Sequence, residues 1–215
     1  MSRNNTILIG DIHGCDHEFR ELLHLLSPAE GDQLVLLGDL LNKGPDPEGV
    51  LQTYASLDCV CLLGNHDLNH LEWSQGTARP KPESVITREE MSKSSYKNYL
   101  EAVANMPLYF QTSDLIAVHG AILPGLSLDN PPAKVLTGKT TLDSDWRDDL
   151  TLDRPLVVGH KRYNGNPSEP LIIEGKFYGI DTGCVYGGCL TALILPLGRI
   201  VQVKAVRDYS ADWDE

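Results

Sequence analysis

Residues 38–45 read GDLLNKGP and close an apolar run, QLVLL at 33–37. A strand of that composition belongs inside a fold, yet it ends on Gly38 and Asp39. Aspartate is a poor strand former, and a carboxylate at a buried strand tip is costly unless something binds it. Two other stretches repeat the pattern: residues 6–14 read TILIGDIHG, and residues 59–67 read CVCLLGNHD. Between the first two stretches, Phe19, Leu22, Leu23 and Leu26 fall at helical spacing within 16–26. Residues 47–57 read as a second helix. Strands alternating with helices predict βαβ units and a parallel sheet. Ligands of such sheets gather at the carboxyl ends of the strands. Asp11, His13, Asp39, Asn65, His66 and Asp67 are therefore expected to converge although they are far apart in sequence.

The chain then changes character. Residues 74–95, SQGTARPKPESVITREEMSKSS, are polar. One helix is expected to follow, with Met91, Tyr99, Leu100 and Val103 on one face and Pro107 as its stop. This segment, about 74–106, reads as a cap or loop insertion on a single domain spanning 1–215. Beyond Pro107, seven short strands are expected at 108–111, 115–119, 155–159, 171–173, 176–180, 189–195 and 200–206, forming a second sheet packed on the first. His119 ends the strand LIAVHG and His160 ends PLVVGH. Five apolar strands thus end in Asp, His or Asn beside a glycine.

Composition narrows the class. The 30 acidic residues outnumber the 18 basic ones, for a net charge of −12. Long Lys/Arg clusters are absent, so nucleic acid is not an expected partner. The acidic tail, RDYSADWDE, reads as solvated surface. Nothing approaches the ~18 apolar residues of a membrane span. The first ten residues lack a signal-peptide core, because Asp11 follows at once. Cysteines at 15, 59, 61, 184 and 189 form no C-x-x-C and read as reduced thiols. A cytoplasmic protein is expected. There is no G-x-x-x-x-G-K-[ST] phosphate loop and no G-x-S-x-G elbow.

Mixed Asp, His and Asn donors suit Mn²⁺, Fe or Zn²⁺ better than an ion that takes only hard oxygen. Two ions roughly 3.5–4 Å apart need one bridging carboxylate, and Asp39, the middle aspartate, is the natural bridge. His17, His24 and His70 fall on expected helices and read as solvated or packed.

GDIHG (10–14), GDLLNKGP (38–45), GNHD (64–67), HGA (119–121) and GH (159–160) resemble the ordered motif series of the PPP-type, calcineurin-like metallophosphoesterases. IDTGCVYGGCLTALIL (180–195) is similar to the C-terminal segment of bacterial members. The resemblance implies an α/β fold of four layers, a central β-sandwich flanked by helices. It implies two divalent metal ions, Mn first, with Fe, Zn, Ni or Co also accepted. Asp11, His13 and Asp39 would bind one ion, and Asp39, Asn65, His119 and His160 the other. His66 would protonate the leaving group, and a metal-activated hydroxide would attack phosphorus.

The departures from the family are informative. Protein phosphatases of this family read G-D-x-V-D-R-G where this chain has Asn42 and Lys43. Asn42 can hold His66 by hydrogen bonding but supplies no negative charge, and Asp67 is a candidate substitute. Lys43 offers a point charge and not a planar fork. Asn42 and Lys43, with GNHD and Pro45, resemble the ApaH-like subgroup, named for its likeness to symmetrical diadenosine tetraphosphate hydrolases. A phosphate leaving group is already acidic, with a second ionisation near about 6, and needs less help from His66 than an alkoxide does. The expected activity is phosphoanhydride cleavage in a small nucleotide. A phosphoprotein phosphatase or phosphomonoesterase is the alternative, and an inactive metal-binding scaffold the third reading. Lys43, Arg147 and Arg162 are the expected phosphate contacts, and Tyr186 is a further candidate.

Overall fold

The computed structural model describes residues 4–125, 128, 132–140, 142 and 146–210. Residues 211–215 of the acidic tail and 1–3 of the N-terminal stretch lie outside the described residues. Three parallel strands open the fold: β1 (Thr6–Ile9), β2 (Gln33–Leu36) and β3 (Cys59–Cys61). Helices α1 (Asp16–Leu26) and α2 (Pro47–Ala55) connect them. Pro47 at the first turn of α2, with the Asp46 side chain accepting from the Gly49 N–H, fixes where that helix starts.

The second half supplies β4 (Tyr109–Gln111), β5 (Ile116–Val118), β6 (Leu156–Val158), β7 (Leu171–Ile173) and β8 (Phe177–Gly179). These form one sheet in the order β4-β5-β6-β8-β7, whose three central strands are parallel. The last two strands, β9 (Cys189–Leu195) and β10 (Arg199–Lys204), depart from expectation. They join the first sheet, in the order β10-β9-β1-β2-β3, with β9 antiparallel to β1. Among the described residues each sheet therefore has five strands.

Alternation along the strands builds the layers. Leu8, Val35 and Leu193 point toward the other sheet and meet Ala117, Val157 and Tyr178. Ile7, Ile9, Leu34 and Leu36 point the other way and meet Phe19, Leu22, Val50 and Tyr99 on the helices. Ile116, Val118, Leu156 and Val158 pack outward on Trp146 and on the short helix α6 (Ala133–Leu136). Both faces of the central strands are buried, which explains their unbroken apolar runs.

The segment 74–106 also differs from the single helix expected. Helix α3 (Asn65–Ser74) precedes it, and the segment contains two helices, α4 (Pro82–Glu90) and α5 (Lys93–Val103). Met91 lies between them in extended backbone. Ser92 starts α5, its side chain accepting from the Ser95 N–H. Helices α4 and α5 both pack on α2 and α3, behind the strand tips.

Candidate active site

The tips of both sheets meet at one place. Two backbone bonds tie the first motif to the second, from the His13 N–H to the Asp39 carbonyl (2.8 Å) and from the Gly14 N–H to the Leu40 carbonyl (2.8 Å). The fourth and fifth motifs are joined by the Gly159 N–H and the His119 carbonyl (3.0 Å). A side chain at Gly64 would overlap the Asp39 carboxylate, so only glycine allows α3 to start there. His13, Asp39, Asn42, Lys43 and His160 all have φ between 49° and 77°. Five non-glycine residues in the left-handed region within one site is a cost accepted for where it points their side chains.

Asp39 is the hub, only 1% exposed. Its Oδ1 accepts the His66 backbone N–H at 2.9 Å, at the positive end of α3. Its Oδ2 faces His119 Nε2 at 3.3 Å and His13 Nε2 at 3.7 Å. Among the described residues three groups of donor atoms converge within 4.8 Å, and two of them contain Asp39: one adds His13 and His66, the other His119 and His160, while the third is Cys15, Glu18 and Cys184. Asn65 Oδ1 lies 3.1 Å from His119 Nε2 and 2.8 Å from His160 Nδ1. The Asp11 carboxylate accepts the His160 backbone N–H at 3.0 Å.

Charge and tautomer show what this pocket accepts. Burial pushes the Asp11 carboxyl well up, and the nearby Asp181 and Asp39 carboxylates push it further. Burial opposes a charge on His119, yet Asp39 and Asp11 beside it drive its imidazole up to about 10. The buried carboxylates thus demand positive charge. His13 Nδ1 donates to the Leu41 carbonyl (3.1 Å) and His119 Nδ1 to the Leu37 carbonyl (2.8 Å). Each bond turns Nε2 toward Asp39, the second-sphere arrangement that orients a metal-ligating histidine. Burial, with Lys43 next, lowers His13 to about 4, which keeps its lone pair available near neutral pH. This donor set fits divalent cations.

His66 is bound differently. Its Nδ1 lies 2.9 Å from Asn42 Nδ2, and Asn42 Oδ1 lies 2.8 Å from His70 Nε2. Asp67, a candidate substitute partner for His66, braces the second motif instead. Its carboxylate accepts from the backbone N–H of Asp39 (2.7 Å) and Leu40 (3.3 Å) and from the Tyr99 hydroxyl (2.7 Å).

The expected phosphate contacts divide. Lys43 Nζ donates to the Tyr186 hydroxyl (2.6 Å), and the Arg162 guanidinium lies 4.6 Å from the centre of the same ring. These three stand together at the rim. Arg147 packs on other rings. Its guanidinium lies over Tyr163 (4.9 Å) and Phe177 (5.4 Å), beside a cavity of about 420 Å³ whose lining includes none of the six expected ligands. Sequence reasoning missed Asp181, His70, Tyr96, Ser84 and Tyr99. Asp181 had a visible signal, an acid at a strand tip before Thr182-Gly183, while the helical residues had none.

Comparison with known proteins agrees with this geometry. The family model "Calcineurin-like phosphoesterase" matches residues 5–188. A relative from Nitrosomonas europaea, named symmetrical bis(5'-nucleosyl)-tetraphosphatase, is 26% identical over 94% of this chain and 99% of its own. That alignment runs over 271 positions, more than the 215 residues here, so the relative carries additional internal segments. A Delftia acidovorans protein of the same name is 36% identical over 86% of this chain and 90% of its own. A third, from Edwardsiella ictaluri, is 41% identical, and the match spans 44% of its length. A crystal structure of "a putative diadenosine tetraphosphatase" superposes with a TM-score of 0.77 and 26% identity, covering 94% of each chain. A Saccharomyces cerevisiae serine/threonine phosphatase shares the fold, with a TM-score of 0.64 at 14% identity over 95% of this chain and 81% of its own.

Proposed function

The chain belongs to the calcineurin-like phosphoesterase family, and on that footing we propose that it hydrolyses phosphoanhydride bonds in diadenosine tetraphosphate or a closely related dinucleotide. The observation that carries this reading is the partner of His66, which is the Asn42 amide and not a carboxylate. An aspartate there would favour an imidazolium and hence proton delivery to a poor leaving group. An amide orients the ring without holding a second proton on it, which suits a nucleotide leaving group that departs as an anion. The relatives named as symmetrical tetraphosphatases support the same substrate class.

Asp11, His13 and Asp39 are assigned to one divalent ion, and Asp39, Asn65, His119 and His160 to a second, with Mn²⁺ as the first choice. Such a pair supplies Lewis acidity toward a phosphoryl oxygen and a nucleophile at neutral pH. His66 donates a hydrogen bond toward the departing oxygen. Lys43 and Arg162 place positive charge at the rim, where a chain of phosphates needs it. Residues 74–106 are assigned the role of shaping substrate choice on a single domain. No helix among the described residues is long and apolar enough to cross a membrane, and the five free thiols suit the cytoplasm.

The test is a comparison of kcat/KM on the Mn²⁺-loaded protein for diadenosine tetraphosphate, ATP, polyphosphate, a phosphoserine peptide and p-nitrophenyl phosphate. A preference of at least ~10-fold for the dinucleotide, equivalent to about 1.4 kcal/mol in the transition state, is the expected result. A preference for the phosphopeptide overturns the assignment, and no turnover with any divalent metal supports a binding scaffold.

A further inference from the structure

Behind the site, four side chains from three segments form one file of hydrogen bonds. The Tyr96 hydroxyl on α5 lies 3.1 Å from His70 Nδ1 on α3. His70 Nε2 lies 2.8 Å from Asn42 Oδ1 in the second motif, and Asn42 Nδ2 lies 2.9 Å from His66 Nδ1. Asn42 Nδ2 also reaches Ser84 Oγ on α4 at 3.3 Å. Asn42 and His70 are 1% and 0% exposed, so water does not substitute for these partners. The rings are held as well: His70 meets Tyr96 and Tyr99 edge to face, with centroids 5.7 and 5.4 Å apart.

Such a file runs in one direction at a time, because each amide and each neutral imidazole donates at one end and accepts at the other. Run inward, Tyr96 donates to His70, His70 to Asn42, and Asn42 to His66 Nδ1, which leaves the His66 proton on Nε2. Run outward, every bond reverses, and His66 presents a bare lone pair at Nε2. The ring stands beside Asp39, and an anionic substrate is met by an N–H and repelled by a lone pair.

We propose that His70, backed by Tyr96, is a positioning residue that fixes the Asn42 amide and thereby keeps His66 in its Nε2–H tautomer, as the hydrogen-bond donor to the leaving phosphate. The inference rests on the role assigned to His66 above. It also explains how an asparagine serves at this position. A carboxylate offers equivalent oxygens and needs no orienting partner, whereas an amide is correct in only one of two orientations. His70 supplies the information that Asn42 lacks.

The test is a double-mutant comparison. His70→Phe preserves ring volume and removes the donor. In the native background it is expected to lower kcat on diadenosine tetraphosphate by about 10- to 100-fold, with KM changed less than about twofold. In an Asn42→Asp background the same substitution is expected to cost less than about threefold, because no amide remains to be misdirected. Equal losses in the two backgrounds overturn the proposal. Tyr96→Phe, a milder change, is expected to give a smaller loss of the same kind. Imidazole ¹⁵N NMR of the Zn²⁺-loaded protein reads the tautomer directly and needs no substrate. His66 is expected as Nε2–H in the native protein and as a mixture in His70→Phe. An Nδ1–H tautomer in the native protein overturns the proposal even if dinucleotide hydrolysis is found. The expected tautomers without such hydrolysis place the error in the substrate and not in the file of hydrogen bonds.

Discussion

The front and the back of the strand tips are built on opposite terms. At the front, Asp11, Asp39, His13 and His119 face one another, and each shifts the protonation of its neighbours. At the back, Asn42, Asp67, His70, Tyr96 and Tyr99 each find a partner at hydrogen-bonding distance, with Asp67 the one carboxylate among them. Front groups wait for an exchangeable cation and substrate. Back groups form a fixed frame contributed largely by α3, α4 and α5. Front residues are therefore expected to meet the reacting groups, and back residues to set stability and, through His70 and Asn42, the orientation of His66.

The largest expected effect is at the front. Asp39→Asn removes the one carboxylate common to the two histidine-bearing donor groups. Turnover should fall by about 10³-fold or more, with fewer than two metal ions retained per chain by elemental analysis. Near-native turnover would end the dinuclear reading. At the back, Tyr99→Phe deletes the hydroxyl that donates to the buried Asp67. A loss of about 1–3 kcal/mol in unfolding free energy is expected, with kcat within a few-fold of native. Native thermal stability combined with lost turnover would erase the distinction between frame and chemistry.

The smallest effect should come from the far end of the sheet. Asp32 precedes β2 and accepts from the Asn5 and Ala29 N–H groups at 2.9 and 3.1 Å. Those bonds hold its carboxyl below the usual 3.8. A lowered folded value stabilises the fold above the unfolded pKa, and the contribution is lost as pH falls through the folded value. Asp32→Asn should thus cost under about 1 kcal/mol near pH 6 in urea melts. The gap to native protein should narrow toward pH 3, and a gap that widens instead would contradict the sign.

The convergence of the strand tips was legible because each combines an apolar run, a glycine and a metal-competent side chain, a conjunction that needs no knowledge of tertiary packing. Asp11, His13, Asp39, Asn65, His119 and His160 all came from that signal. The back of the site was not legible. His70 looked like any helical histidine, because nothing local reveals that Asn42, 28 residues earlier, needs an orienting donor. The break at Met91 was hidden by apolar residues that continue a helical period across it. Membership of β9 and β10 in the first sheet was invisible for a different reason. An antiparallel strand carries the same alternation whichever neighbour it pairs with.

That membership bears on how the protein is made. β1 lies between β2, which follows it closely, and β9, which is synthesised after every other named strand but β10. The Gly10 N–H, beside Asp11, bonds to the Thr191 carbonyl at 3.0 Å. On the ribosome, the first motif therefore hangs from a strand with one open edge until residue 195 has emerged. Its final anchor arrives after every expected ligand, from Asp11 to His160, has already left the tunnel. Nascent chains halted before β9 will display an apolar, unpaired strand edge, a form suited to chaperones and prone to aggregation. The candidate site is accordingly completed only when β9 is in place beside β1.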